Sequence, residues 1–177
     1  MKILFSIVLM ALSLITNPAM ASHKADIDFI NESSSTSNSI YIVKKNNWCM
    51  SDPGPDKIII SRPVLSNISK VSIPIETQAC TLFQWREIDW KVNYGVSASP
   101  ESPGACDLKW ILWPKWVWNN VGWRWQIESN CPIKSAKCSK DNGRGRLDMF
   151  DCLNKEVSFS DANGDKGRVE IVFNFEG

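Results

Sequence analysis

Four tryptophans stand at alternate positions in the segment Lys115-Trp116-Val117-Trp118-Asn119-Asn120-Val121-Gly122-Trp123-Arg124-Trp125. An indole offers a flat apolar face and one N–H donor. Its chemistry is therefore stacking: on a sugar ring, against a partner's side chain, or at a lipid headgroup interface. Two alternating runs around a short polar step are the signature of a β-hairpin. With Asn120-Val121 at the tip, Trp118 lies opposite Trp123 and Trp116 opposite Trp125. Residues two apart on a strand share a face, so all four indoles project from one side of the ribbon. Lys115, Val117, Arg124 and Gln126 take the other side. Upstream, Trp110 and Trp113 extend the aromatic run.

Size decides what such a face can be. Four tryptophans at roughly 150–250 Å² each make a surface of about 600–1,000 Å². A monomer seldom exposes an apolar patch above about 300–600 Å² without using it. The face is therefore either buried on folding or an interaction surface, and the mostly polar reverse side argues for the core. Not every indole fits there. Trp110 and Trp113 differ by three positions, so an extended strand points them to opposite faces and at least one reaches the surface. Trp48, beside a Pro/Gly loop, is another surface candidate. The candidate ligand-binding set is Trp110, Trp113, Trp116, Trp118, Trp123 and Trp125, with Lys115 and Arg124 as polar neighbours.

The remaining reactive residues do not assemble into a catalytic motif. His23 is the one histidine, which removes most nucleophilic triads and histidine metal sites. It is expected in a mobile N-terminal tail. Asp161-Ala162-Asn163-Gly164-Asp165 resembles the start of a calcium loop. However, Lys166 occupies the place of the sharp-turn glycine and Val172 that of the bidentate glutamate. A hairpin turn is the better account. Glu87 and Asp89 share a strand face and could be proposed as a hydrolytic carboxylate pair, but solvent-facing charge explains them as well. The sequons at Asn31 and Asn67 matter only in a eukaryotic secretory pathway. The expectation is a protein without enzymatic activity, cofactor or metal.

The elements that position these residues read as short strands. Asp26-Phe29, Ser39-Val43, Lys57-Ile60, Val71-Ile75, Ile88-Val96 and Val169-Phe175 alternate or run apolar, separated by Gly, Pro, Asn and Ser clusters. Pro74 cannot donate to a ladder, which places Val71-Ile75 at an edge. Asn46-Asn47, the Ser97-Gly104 stretch and the polar segment from Cys131 to Cys152 read as loops. No segment carries the spacing of an amphipathic helix. The fold expected is an all-β antiparallel β-sandwich, or a barrel-like relative, with a Trp-rich hairpin and disulfide staples.

Met1 to Ala21 has the form of a secretory signal: Lys2, an apolar stretch from Ile3 to Ile15, and Ala19-Met20-Ala21 as the cleavage site. Its removal from 177 residues leaves 156, residues 22–177, a single domain with a sizeable core. Lys2 is the one charge lost, so 19 basic residues face 19 acidic ones. A nucleic-acid binder normally carries a basic excess, so that class is set aside. Cys49, Cys80, Cys106, Cys131, Cys138 and Cys152 are an even set in a chain expected to be secreted, extracellular or periplasmic, and read as three disulfides. Cys106–Cys131 would clamp the ribbon, with Cys138 also within reach of Cys106.

The N-terminal strand pair, the tryptophan content and the final strand resemble in pattern the small membrane-binding aegerolysin-like β-sandwiches. The disulfides are not part of that likeness, and no residue is transferred from it. The function expected is a secreted, non-catalytic binding module that contacts carbohydrate or a protein partner through exposed tryptophans. Two alternatives stand beside it: insertion of the indoles at a membrane surface, and a structural or inhibitory domain whose tryptophans are all core.

Overall fold

The computed structural model describes residues 23–33, 39–61, 68–78, 80, 84–95, 98–99, 106–117, 120–141, 147–159 and 166–175. At 114–117, 120–122, 140–141, 147, 159 and 166 the backbone alone is described. In chain order the strands are β1 (Lys24–Asn31), β2 (Ile40–Trp48), β3 (Met50–Asp52), β4 (Lys57–Ile60), β5 (Ser69–Thr77) and β6 (Arg86–Tyr94). They continue as β7 (Cys106–Val117), β8 (Asn120–Ser129), β9 (Ile133–Asp141), β10 (Leu147–Asp151), β11 (Val157–Phe159) and β12 (Lys166–Phe173). Sheet A has the order β10-β9-β12-β1-β5-β3 and sheet B the order β11-β8-β7-β6-β2-β4. Both sheets keep open edges, so the architecture is a sandwich rather than a closed barrel.

Alternation explains the packing. Ile27, Phe29, Ile73, Ile75, Val169 and Ile171 point inward from sheet A. Ile40, Ile42, Ile88, Trp90, Leu108, Trp110, Leu112, Trp125 and Ile127 meet them from sheet B. Phe29 packs edge-on to Trp90 across the two sheets, with ring centroids 5.8 Å apart. Within sheet B, Trp110 meets Trp125 at a right angle, also at 5.8 Å. Offset and edge-on contacts of this kind suit the indole quadrupole.

Three disulfides close the framework: Cys49–Cys80, Cys106–Cys131 and Cys138–Cys152. Such bridges are consistent with an oxidising, extracellular environment.

Several local expectations are corrected. The hairpin register is shifted: Leu112 lies opposite Trp125, Pro114 opposite Trp123 and Trp116 opposite Val121, and pairing continues to Val117↔Asn120. The connection therefore falls at 118–119, outside the described residues, rather than at Asn120-Val121. The cause lies at the far end of the ribbon. Continuing the pairing from Leu108↔Ser129 by two residues brings Cys106 opposite Cys131, so the bridge is in step with this register and not with the other. An even shift leaves each side chain on its original face.

His23 is not a tail residue. It is buried, its backbone N–H donates to Thr77 Oγ1 at 2.8 Å, and its ring meets Trp123 with centroids 4.1 Å apart. Pairing of β1 with β5 carries the chain into the sheet one residue early.

The polar segment after Cys131 forms β9 and β10. Its inward positions are Ala136 and Cys138, too small to register as an apolar alternation. Asn46 and Asn47 belong to β2, which absorbs them with a bulge between Lys44 and Asn46. β5 is an edge only along part of its length, because β3 covers its end at Glu76 and Thr77. Asn31 is buried, its Oδ1 accepts from Ser33 N–H, and it is not presented to solvent. The Asp161–Asp165 segment and Asn67 lie outside the described residues.

Candidate functional site

The tryptophans separate by strand parity. Trp110, Trp123 and Trp125 face inward and are buried. Gly167 on β12 makes room for Trp125: a Cβ there would stand 2.0 Å from Cη2 of the indole. Behind this, Arg86 lies with its guanidinium carbon 4.5 Å from the centroid of the Trp123 ring. Trp116 and Lys115 pair with Val121 and Gly122, and only their backbone is described. Trp118 is outside the described residues.

The outward face of sheet B carries a different set. Trp113 is partly exposed and pairs with Arg124 on β8. Trp48, at the end of β2, pairs with the outward-facing Glu87 and is 52% exposed. Trp85 precedes β6 and is 54% exposed. The last β6–β7 pair is Arg86↔Leu112, and one further step in that register sets Trp85 beside Trp113. Adjacent strands lie about 5 Å apart and successive same-face residues about 7 Å, so Trp48 is roughly 8 Å from Trp85. Three indoles thus occupy one corner of the face.

Two of them stand where the chain changes sheet. β2 belongs to sheet B and β3 to sheet A, and Cys49 between them takes a left-handed conformation with φ 64°. β5 belongs to sheet A and β6 to sheet B, with Cys80 on the connection. The Cys49–Cys80 bridge ties these two crossings together, and Gln78 N–H donates to the Cys49 carbonyl at 3.0 Å. Trp48 and Trp85 flank that clip.

Away from the corner the same face becomes polar. An open groove of about 380 Å³ is lined by Asp107, Lys109, Gln126, Glu128, Ser129, Asn130 and Asn154. Lys109 pairs with Asp89 at 3.2 Å and Glu87 at 3.6 Å, and Lys91 pairs with Asp107. Partial burial pulls the Lys109 ammonium down. The contact with Asp89 and the charges of Asp89, Glu87 and Glu128 outweigh that, holding its pKa above the ordinary lysine value. Arg124 pairs with Glu156 at 2.6 Å. Glu87 and Asp89 are therefore partners of one lysine on an exposed face. Asn130 Oδ1 accepts from Asp107 N–H at 2.6 Å, and Asn154 holds Ser129 through both ends of its amide. Asp107 to Trp113 spans six residues, about 20 Å of strand.

Of the expected set, the structure brings Trp113 and Arg124 to this face and puts Trp110, Trp123 and Trp125 in the core. Trp85 escaped sequence reading because it precedes its strand; the signal that finds it is its odd spacing from the inward Ile88 and Trp90. The groove residues are ordinary outward polar positions, and no spacing marks them. No protein-family model matches the chain, and no curated protein resembles it in sequence.

Proposed function

We propose that this protein is a non-catalytic binding module, acting outside the cell or in the periplasm, that holds a carbohydrate along the outer face of sheet B. The carrying observation is the register that puts Trp48, Trp85 and the partly exposed Trp113 on the sheet face that also holds the polar groove. Indoles stack on the apolar faces of sugar rings, while carboxylates, amides and an ammonium bond the hydroxyls. With about half of Trp48 and Trp85 open and a smaller part of Trp113, the corner offers roughly 200–350 Å² of aromatic surface, enough to mark a binding patch. A lipid interface suits this face less well. Glu87, Asp89, Asp107 and Glu128 lie on it, and an anionic leaflet repels carboxylates.

Titration of the oxidised protein with a panel of oligosaccharides, followed by indole fluorescence, tests this. A saturable change is expected for at least one glycan, weakened about tenfold or more by Trp113→Ala or by Trp85→Ala, as for a central aromatic contact. No response to any glycan, or affinity unchanged in both variants, would sink the proposal.

A further inference from the structure

We infer that the outer face of sheet B selects glycans without acidic groups, that is, uncharged or amine-bearing sugars rather than uronates or sulfated chains. The inference rests on the glycan reading above and concerns which class that face accepts.

The charges on the face decide it. Glu87, Asp89, Asp107 and Glu128 on the outward positions of β6, β7 and β8, with Glu156 beside Arg124, are five carboxylates against the three cations Lys91, Lys109 and Arg124. The centre of the face therefore carries a net charge of −2. Recognising a uronate or sulfate calls for a guanidinium or ammonium that can turn to the ligand, with Arg forks as the preferred device. On β6, β7 and β8 each outward cation whose side chain is described already faces a carboxylate. Lys91 is held by Asp107, Lys109 by Glu87 and Asp89, and Arg124 by Glu156. An acidic sugar would have to break one of these pairs and then sit in the field of the carboxylate left behind. A hydroxyl or acetamido group meets no such conflict. Gln126 and Asn130 offer amide groups at the groove. Gln126 also sits next to the aromatic corner, opposite Ile111 and two residues along β8 from Arg124, the partner of Trp113. An amine-bearing sugar gains from the same field that repels a carboxylate.

The test uses the full oxidised protein and three probes of matched length: a chito-oligosaccharide, its deacetylated amine form and an oligogalacturonate, each titrated at low and at physiological salt. The first two should bind, and the uronate should bind roughly tenfold or more weakly at low salt, with the gap narrowing as salt screens the face. Glu128→Lys, at an exposed position, should tighten uronate binding about fivefold or more at low salt, since it removes one repelling charge and adds one attracting charge. A uronate that binds the parent protein as well as the uncharged probe overturns the charge selection and leaves the glycan reading standing. A Glu128→Lys variant with an unchanged preference also overturns the selection. Binding of none of the three overturns the selection and leaves the glycan reading to the wider panel.

Discussion

Arg86 occupies an inward position of β6, in phase with Ile88 and Trp90, where alternation calls for an apolar side chain. It is 1% exposed, and burial lowers its pKa below the usual arginine value. Its Nη1 donates to the Gln84 carbonyl at 3.1 Å and its plane meets Trp123, but its Nε finds no hydrogen-bond partner among the described residues. The indole contact and one carbonyl offset only part of the cost of desolvating a guanidinium, so a shape-matched apolar residue serves as well. Arg86→Met is expected to unfold within about 1 kcal/mol of the parent, whereas Arg86→Ala loses about 2–4 kcal/mol to the cavity left under Trp123. Urea titration of both variants separates the two outcomes. Gly167 is the converse case. Its alanine variant drives a methyl into Trp125, and overpacking of that kind costs about 1–3 kcal/mol or more.

Asp28 sets the acid limb of stability. Its carboxylate accepts from Ser72 Oγ at 2.5 Å and pairs with Lys70 at 2.9 Å and Arg168 at 2.6 Å. Burial raises its pKa, but these three partners outweigh that and bring it below the ordinary 3.8. A carboxyl with a depressed folded pKa stabilises fully above its unfolded value and loses that contribution as pH falls through the folded value. Asp28→Asn should therefore be destabilised at neutral pH, and its deficit should close as the pH drops through 3.8 and below. Thermal melts across that window check the sign. A deficit that widens in acid would refute it.

At the scale of elements, the crossings between sheets matter more than the ribbon itself. The Cys49–Cys80 bridge closes a loop with a sequence separation of 31, worth about 3–4 kcal/mol on chain entropy. Its place predicts something beyond stability. Trp48 is covalently next to Cys49, and Trp85 follows Cys80 by five residues, so the clip tethers two of the three corner indoles to each other. The double variant Cys49→Ser, Cys80→Ser should keep the near-ultraviolet signature of Trp90 and Trp110 in the core yet lose glycan affinity. Equal affinity in the two forms would show that the corner is assembled without the clip. Little of this was legible beforehand. Face parity of the ribbon could be read because a strand has period two, and an even register error leaves parity intact. The register itself depended on Cys106 and Cys131, at the far end of the ribbon. β9 was illegible because its inward positions are small, and small residues carry no apolar signal.

Across the whole molecule, the sandwich is visible in the alternation of Ile88-Trp90-Val92 and Val169-Ile171-Phe173, since each strand must bury one face. Strand direction is not visible, because alternation looks the same in parallel and antiparallel neighbours. The structure closes sheet A by pairing β1 with β12 in parallel, from Lys24↔Lys166 to Asn31↔Phe173. The first and last strands thus lie together at the centre of that sheet, with β5 beyond β1 and β9 beyond β12. Such a sheet cannot be completed until β12 is available, and the loop closed spans β2 to β11. A chain ending at residue 165 should therefore fail to fold cooperatively: without β12, Phe29 loses its stacked neighbour Phe173, and β9 loses the strand that joins it to the core. It should show no near-ultraviolet circular dichroism and rapid proteolysis throughout, including in the β7–β8 ribbon. In the intact protein the slowest amide exchange should fall on β1 and β12 together. Protection confined to β6, β7 and β8, with fast exchange in β1 and β12, would mean that sheet B folds independently and that the terminal pair is an addition to it.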